Sequence, residues 1–144
     1  PQCDAGGAGP LRNGIGVPPR RPLLSVVDMK DYEPEDIHKE KLVILLVSSY
    51  TGGTPTDSAR FLISWLEESS TDFRVGAEYL KATRFAVFGL GNSLYSEHYN
   101  TVGKAADAHM RALGASAVTK LGLGDEDSGH MEDQFDAWAG RVVA

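Results

Sequence analysis

The sequence predicts an α/β protein with a doubly wound parallel sheet. Two short, strongly apolar runs, residues 42–47 and 85–88, are typical of strands that are buried on both faces. Segments with the apolar spacing of helices follow both runs, and strands that alternate with helices favour a parallel sheet. A chain of 144 residues can bury one hydrophobic core, so we expect a single domain.

The elements of the first half follow from composition and spacing. Residues 1–22 are rich in glycine and proline and predict a linker or disordered tail, so the domain is expected to span residues 23–144. Residues 23–28 predict a short strand, and residues 31–40 predict a polar connection with at most one helical turn. After the strand at 42–47, Thr56 is a candidate N-cap for a helix. The apolar face of that helix should comprise Ser58, Phe61, Leu62, Trp65 and Leu66.

The second half continues the alternation. After the strand at 85–88, the spacing predicts a helix that ends at Gly114. Its apolar face comprises Val102, Ala105, Ala106, His109, Met110 and Leu113. Residues 118–121 then predict a strand. A closing helix should pack through Phe135, Trp138, Ala139 and Val142. At this spacing, the two tryptophans at 65 and 138 are expected to be packing residues rather than ligand contacts.

Two loops at predicted strand ends carry the functional signal. Residues 48–56 and 89–95 combine hydroxyls or amides with glycines, and each contains one tyrosine. In open α/β sheets, ligands bind outside the carboxyl ends of the strands. Tyr50 and Tyr95 could therefore hold a flat aromatic ring by stacking. The peptide between Gly52 and Gly53 could turn over cheaply and offer its carbonyl to a ring nitrogen that gains a proton on reduction.

The second loop does not carry the dinucleotide fingerprint. The pattern G-x-G-x-x-G would continue Gly89 and Gly91 with a glycine at position 94, where this chain has Leu94. No acidic residue about twenty positions further on clearly suits a ribose hydroxyl. The loops therefore favour a flat cofactor other than a dinucleotide.

These loops resemble those of a known superfamily. Residues 50–57 (YTGGTPTD) and 85–95 (FAVFGLGNSLY) are similar to the two loops that hold the isoalloxazine ring in flavodoxin-like FMN domains. Residues 65–68 (WLEE), 72–76 (DFRVG) and 98–104 (HYNTVGK) most resemble the flavodoxin domain of the wybutosine-synthesising tRNA-modification enzymes, the tRNA 4-demethylwybutosine synthase family. The FMN domains of the diflavin reductases are a close second. The resemblance extends from about residue 26 to residue 143.

The resemblance implies an FMN-binding electron-transfer domain. In the wybutosine family, such a domain accompanies a radical S-adenosylmethionine domain, so the implied partner is that domain or another basic electron acceptor. The implied cofactor-binding residues are Ser49, Tyr50, Thr51, Gly52, Gly53, Thr54, Phe88, Gly89, Leu90, Gly91, Asn92, Tyr95, His98, Tyr99, Asn100 and, in the third loop, Asp125.

The same resemblance exposes one departure. A flavodoxin-like sheet has five strands, and the loop after its central first strand cradles the FMN phosphate with backbone N–H groups. No apolar run followed by a hydroxyl-rich turn and a helix precedes residue 23. We therefore expect the first strand and the phosphate loop to be lacking, unpaired strand edges at residues 23–28 and 42–47, and weak retention of FMN.

Charge and cysteine content narrow the function further. The net charge of −6 disfavours direct nucleic-acid binding by this domain. Acidic residues cluster at positions 125–136, where they could steer a basic partner. Cys3 is the only cysteine, whereas the radical chemistry of the wybutosine family needs three cysteines on one cluster, so this chain has no catalytic residues for that lyase reaction and could only supply electrons to it. No secretory signal or membrane span is evident, and a cytoplasmic location is expected.

Two other functions remain to be weighed. A phosphoacceptor receiver domain would need an aspartate where Ser48 and Ser49 follow the strand, so it is disfavoured. The four histidines lack the spacing of a metal site, and no G-x-S-x-G elbow suggests a hydrolase. A degenerate, flavin-free interaction module on the same fold stays open.

Overall fold

The computed structural model describes residues 24–144. Its strands are β1 (Leu42–Ser48), β2 (Arg84–Gly91), β3 (Ser116–Ala117) and β4 (Gly122–Asp125). Its α-helices are α1 (Asp57–Thr71), α2 (Thr101–Ala112) and α3 (Met131–Val143). Short 3-10 helices lie at Met29–Asp31, Pro34–Lys39, Ser93–His98 and Glu126–Ser128. None of the helices in this range is long and apolar enough to cross a membrane.

The sheet is parallel throughout, and β2 lies at its centre. β1 pairs with β2 along its whole length, from Leu42 opposite Arg84 to Ser48 opposite Leu90. On the other side, β3 pairs with the first two residues of β2 and β4 pairs with the last four. The predicted doubly wound parallel sheet is therefore confirmed, and all carboxyl ends lie at one edge.

Helices cover the sheet on both faces. The larger core cluster joins α1 and α2 to one face through buried residues such as Leu66, Met110 and Phe85. The smaller cluster packs α3 on the opposite face, where Trp138 meets Phe88. Both tryptophans pack, as predicted: Trp138 is buried, and Trp65 lies against the larger cluster.

The predicted strand at residues 118–121 is wrong. This stretch is the bend between β3 and β4, and β4 begins only at Gly122. A Cβ on Gly122 would lie 2.6 Å from the rings of both Phe88 and Trp138, and a Cβ on Gly124 would lie 2.8 Å from the Phe88 ring. The strand is therefore glycine-rich because two large rings occupy the space above it, and an apolar pattern could not reveal it.

The strand predicted at residues 23–28 is also wrong for residues 24–28, the part of it within the described range. Residues 24–28 form no strand, and Val26 is fully exposed. A groove of about 470 Å³ separates this segment from β1. Of the two predicted unpaired edges, the one at residues 23–28 is wrong for the described residues 24–28, which form no strand, whereas no strand within residues 24–144 pairs with the outer edge of β1.

The helix boundaries agree with the prediction better than the faces do. Thr56 is the N-cap of α1, but its side chain makes no capping hydrogen bond. Phe61 is 60% exposed, because the buried face of α1 comprises Ala59, Leu62, Ile63, Leu66 and Ser69 and thus lies to one side of the predicted stripe. The chain turns after α2 at Gly114, which has a φ of +97°.

Candidate functional site

The loop after β1 is a tight turn held by its own backbone. The Tyr50 N–H donates to the Thr54 carbonyl at 2.9 Å, and the Gly53 N–H donates to the Tyr50 carbonyl at 2.9 Å. Gly53 has a φ of +78°, a conformation that favours glycine. Ser49 anchors the loop to the sheet through a hydrogen bond from its N–H to the Leu90 carbonyl. The turn leaves Tyr50 half exposed at the sheet edge.

The loop after β2 begins with a side-chain cap. The Asn92 side-chain oxygen accepts from the Leu94 N–H at 2.9 Å, and the Tyr95 N–H donates to the Asn92 carbonyl. The short helix is kinked at Ser96, which has a φ of 49°. A non-glycine residue rarely adopts this conformation. Leu94 and Tyr95, which precede this kink, are exposed.

The loop after β4 is joined to the second loop through Asp125. The Asp125 carboxylate accepts from the Ser93 N–H at 2.9 Å and from the Asp127 N–H at 3.1 Å. The hydrogen bond from Ser93 lowers the pKa of Asp125 below its ordinary value. The Asn92 amide also donates to the Glu126 carboxylate at 3.4 Å. The second and third loops therefore form one hydrogen-bonded unit.

The first loop is joined to the same unit by contact with the start of α2. The His98 Nδ1 lies 2.8 Å from the position that a Gly53 Cβ would occupy, and the Thr101 Oγ1 lies 3.3 Å from it. The Ser49 hydroxyl accepts from the Val102 N–H at 2.9 Å. The structure thus brings together the two loops that the sequence singled out and the third loop, in which the resemblance placed Asp125.

The joined loops present aromatic and apolar surface. Tyr50 is 50% exposed and Tyr95 is 43% exposed, and Leu94, next to Tyr95 in the chain, is exposed as well. Gly52 has no atom within 4 Å of the place where its Cβ would stand. Exposed rings and open backbone at strand carboxyl ends suit a flat aromatic ligand, which stacking stabilises.

Tyr99, four residues after Tyr95, is partly buried. Burial, followed by the negative charge of Asp125, raises the pKa of the Tyr99 phenol. The Lys104 ammonium lies 5.4 Å from the centre of the Tyr99 ring, within the range of a cation–π contact. The phenol therefore stays protonated at neutral pH and can serve only as a neutral hydrogen-bonding group there.

The predicted site residues fall into two groups. Most lie on the joined loops or at the strand ends that lead into them, with at least partial exposure: Ser49, Tyr50, Thr51, Gly52, Gly53, Thr54, Leu90, Gly91, Asn92, Tyr95, His98, Tyr99 and Asp125. Three are buried: Phe88, Gly89 and Asn100. The Phe88 ring packs edge-on against Phe135 at 5.2 Å in the core of the α3 face, so the structure does not bring its side chain to the loop surface.

Four further residues take part in the site that were not among the implied cofactor-binding residues. Ser93 and Glu126 join the second and third loops, as described above. The Gln134 side-chain oxygen accepts from the Asp125 N–H at 2.8 Å and ties the third loop to α3. The Thr101 hydroxyl is buried beside Gly53 and has no hydrogen-bond partner within residues 24–144. Ordinary polar residues in these positions carry no sequence signal, because their roles depend on contacts across the fold.

Comparison with known sequence families shows to which family the chain belongs. The sequence profile described as Flavodoxin matches residues 20–138, most of the chain. The chain belongs to the flavodoxin family. No group of three or more His, Cys, Asp or Glu within residues 24–144 could hold a metal ion.

The chain is also similar in sequence to curated tRNA 4-demethylwyosine synthases. The chain is 44% identical over 128 residues to the tRNA 4-demethylwyosine synthase TYW1 of Danio rerio, over 82% of this chain. It is 41% identical over 131 residues to human TYW1 and 42% identical over 120 residues to the Arabidopsis thaliana synthase. In each case it spans 18% of the length of the relative. These similarities confirm the resemblance to the wybutosine family.

Solved flavodoxins share the fold at low sequence identity. Flavodoxin 1 from Bacillus cereus matches with a TM-score of 0.55 and 20% identity, over 79% of this chain and 72% of that one. A Fusobacterium nucleatum flavodoxin mutant bound to flavin mononucleotide also matches with a TM-score of 0.55, at 13% identity over 75% and 72% of the two chains. These matches confirm the flavodoxin-like fold.

Proposed function

We propose that this chain binds FMN at its three joined loops and transfers electrons. One observation carries the proposal: in a chain of the flavodoxin family, the loops after β1, β2 and β4 are held together and present two half-exposed tyrosines at the carboxyl edge of the sheet. The cytoplasmic location expected from the sequence is part of this proposal.

The residues of the loops fit the isoalloxazine end of FMN. When bound, FMN supplies redox chemistry in one-electron and two-electron steps that no side chain provides. Tyr50 and Tyr95 would hold the ring by stacking, and the open backbone at Gly52 would approach its edge. The Asp125 carboxylate fixes the Ser93 N–H and thereby orients the loop that carries Tyr95. Joined loops of this kind keep the ring-binding residues in place before the cofactor arrives.

The charge distribution supports a basic electron acceptor as partner. Exposed carboxylates continue from the third loop into α3 at Glu126, Asp127, Glu132, Asp133 and Asp136. A negative rim beside the exposed tyrosines would attract a positively charged partner and orient it toward the ring edge. The net charge of −6 supports the same choice over nucleic acid.

We further propose that the acceptor is a radical S-adenosylmethionine domain that builds wybutosine in tRNA. This proposal is supported by the 40–44% identity of the chain to TYW1 proteins. The chain spans only 18% of the length of each of these relatives. In this assignment the chain supplies electrons, and the lyase chemistry and tRNA binding belong to the remainder of such a protein. The identity to TYW1 proteins favours this partner over the flavin-to-flavin transfer of a diflavin reductase.

Fluorescence titration of FMN against the purified chain tests the cofactor assignment. We expect Tyr95→Ala to weaken FMN binding by about 1–3 kcal/mol, because the ring would lose its stacking partner. Phe73→Ala is the matched control, since Phe73 is an aromatic residue that is 91% exposed outside the three loops. Unchanged affinity in Tyr95→Ala would remove the stacking role.

The same titration measures the expected weak retention of FMN. Each charge-assisted hydrogen bond to a phosphate contributes about 1.5–3 kcal/mol, so a missing phosphate loop would weaken binding about a thousandfold or more. Tight, stoichiometric FMN in the purified chain would contradict this expectation and show that other residues hold the phosphate. No flavin binding at millimolar FMN, with native folding intact, would favour the flavin-free interaction module.

A further inference from the structure

Asn100 is a fully buried polar residue at the junction of the three loops. It is 0% exposed, and it is one of three buried polar or charged residues in the described part of the chain, with Ser69 and Thr83. Its backbone is left-handed, with φ 53° and ψ 31°, and it is the N-cap of α2. Buried amides normally have partners for their polar atoms, so the contacts of this side chain need an explanation.

The Asn100 amide bridges two strands of the sheet. Its Nδ2 donates to the Gly124 carbonyl in β4 at 3.1 Å. Its Oδ1 has no hydrogen-bond partner among residues 24–144 and faces the backbone of β2 instead. The Oδ1 lies 2.6 Å from the position of a Gly89 Cβ and 2.8 Å from the position of a Gly91 Cβ. The amide therefore occupies the space that side chains at both positions would need.

This packing gives a second explanation for the two glycines. Neither Gly89 nor Gly91 has a positive φ, so the backbone conformation does not demand glycine at either position. Gly89 is buried, so a ligand on the surface cannot be the reason for its missing side chain. The close approach of Asn100 requires the absence of both Cβ atoms.

We propose that Asn100 is a positioning residue, and that Gly89 and Gly91 are glycines in order to seat it. By holding the ends of β2 and β4 against the first turn of α2, Asn100 sets the relative positions of the loops that carry Tyr95 and Asp125. It acts through these loops and does not touch the cofactor. The steric part stands on geometry alone, whereas the effect on the flavin rests on the proposed function.

A double-mutant cycle tests the steric part without any ligand. Gly89→Ala is made in the wild-type chain and in Asn100→Gly, a variant that removes the amide and tolerates the left-handed backbone. Gly89 is chosen because the atoms closest to its Cβ position, at 2.6 and 3.1 Å, both belong to the Asn100 side chain, whereas a Cβ at Gly91 would also lie 3.1 Å from the backbone nitrogen of residue 100. We expect Gly89→Ala to lower the urea midpoint clearly in the wild type and to lose most of that effect in Asn100→Gly. An equal loss in both backgrounds would overturn the proposal, because the alanine would then clash with something other than the Asn100 side chain.

A matched comparison with Thr83 tests the positioning part. Thr83 is equally buried, and its hydroxyl donates to the Glu40 carbonyl at 2.8 Å before the amino end of β2, away from the loops. Asn100→Gly should speed hydrogen exchange at the Ser93 and Val102 amides, which bond to Asp125 and Ser49. Thr83→Val should leave these amides unchanged even though it also lowers stability. Equal exchange in the two variants would show that Asn100 is merely structural.

The flavin readout separates this inference from the proposed function. At urea concentrations where both variants stay folded, Asn100→Gly should raise the FMN dissociation constant by about tenfold and Thr83→Val by less than about twofold. Similar changes in the two variants would overturn the positioning role. If the parent chain binds no FMN, the proposed function fails, while the cycle and the hydrogen exchange still decide the role of Asn100.

Discussion

The strands β1 and β2 are both strongly apolar, yet they differ in burial. The five residues of β2 from Phe85 to Gly89 are all buried. In β1, only Leu45 and Val47 are buried, and Leu46 between them is 49% exposed. β2 has partner strands on both edges, whereas β1 has a partner strand on only one edge within the described part of the chain.

The two faces of β1 explain the alternation. Leu45 and Val47 belong to the larger core cluster under α1 and α2. Side chains alternate along a strand, so Leu46 shares the opposite face with Ile44, which packs against the α3 cluster. That cluster does not extend to Leu46, which lines the groove at the outer edge of β1. The comparison teaches that an apolar run identifies a strand, whereas its neighbours decide how deeply it is buried.

The largest loss of stability is expected from a substitution in β2, and it tests the difference in burial between β2 and β1. Phe88→Ala should lower the free energy of unfolding by about 3–5 kcal/mol, because it removes a ring that packs against Trp138 and Phe135 and leaves a cavity. Leu46→Ala in β1 should lower it by only about 1 kcal/mol, since half of the side chain is already in water. Urea unfolding of both variants measures the difference, and equal losses would show that the outer edge of β1 is covered in solution.

The edge of β1 that has no partner strand within residues 24–144 predicts a second, smaller effect, on solubility. Leu46→Lys should reduce aggregation while changing the free energy of unfolding by less than about 1 kcal/mol, because a charged residue discourages pairing of exposed strands. Light scattering at increasing protein concentration measures this. The control is Phe61→Lys, which places the same charge at an exposed apolar residue on α1, away from the edge. If both variants reduce aggregation equally, general charge rather than the strand edge is responsible.

The smallest effect concerns the loops beyond β2 and β4. The pKa of Asp125 is lowered in the folded chain from its ordinary value of 3.8, so its charged form stabilises the fold. That contribution is present above pH 3.8 and disappears as the pH falls through the lower folded value. Asp125→Asn should therefore be less stable than the wild type at pH 7, and the difference should vanish in strong acid.

Urea unfolding at pH 7 and in strong acid checks this expectation. Glu132→Gln serves as the control, because Glu132 is an exposed carboxylate of α3. A gap between Asp125→Asn and the wild type that persists unchanged in acid would assign the effect to shape rather than to charge.

The sequence predicts the fold well where local patterns dominate. The apolar run at residues 42–47 coincides with β1, and the turn at Gly114 follows α2 as expected. The two loops after β1 and β2 were expected at the same edge, because the carboxyl ends of parallel strands meet there, and the structure places them together. Which of their residues contact a cofactor stays a prediction.

The errors arise where a distant contact decides the structure. The strand β4 has two glycines because the rings of Phe88 and Trp138 lie over it, and no apolar pattern reveals that. Phe61 has helical spacing, but the packing of α1 turns it outward. Gly89 and Gly91 were among the residues expected at the cofactor, whereas in the structure the space beside their Cα atoms is filled by the side chain of Asn100.

The adjacent glycines 52 and 53 look alike in the sequence but face different mutational constraints. Gly53 combines a positive φ with a His98 ring where its side chain would stand, whereas Gly52 has open space and no positive φ. In a library of random variants selected for folding alone, position 52 should drift freely and position 53 should stay glycine. If selection for electron transfer reduces the set of residues accepted at position 52, that reduction reflects contact with the cofactor, because folding alone does not require a particular residue there.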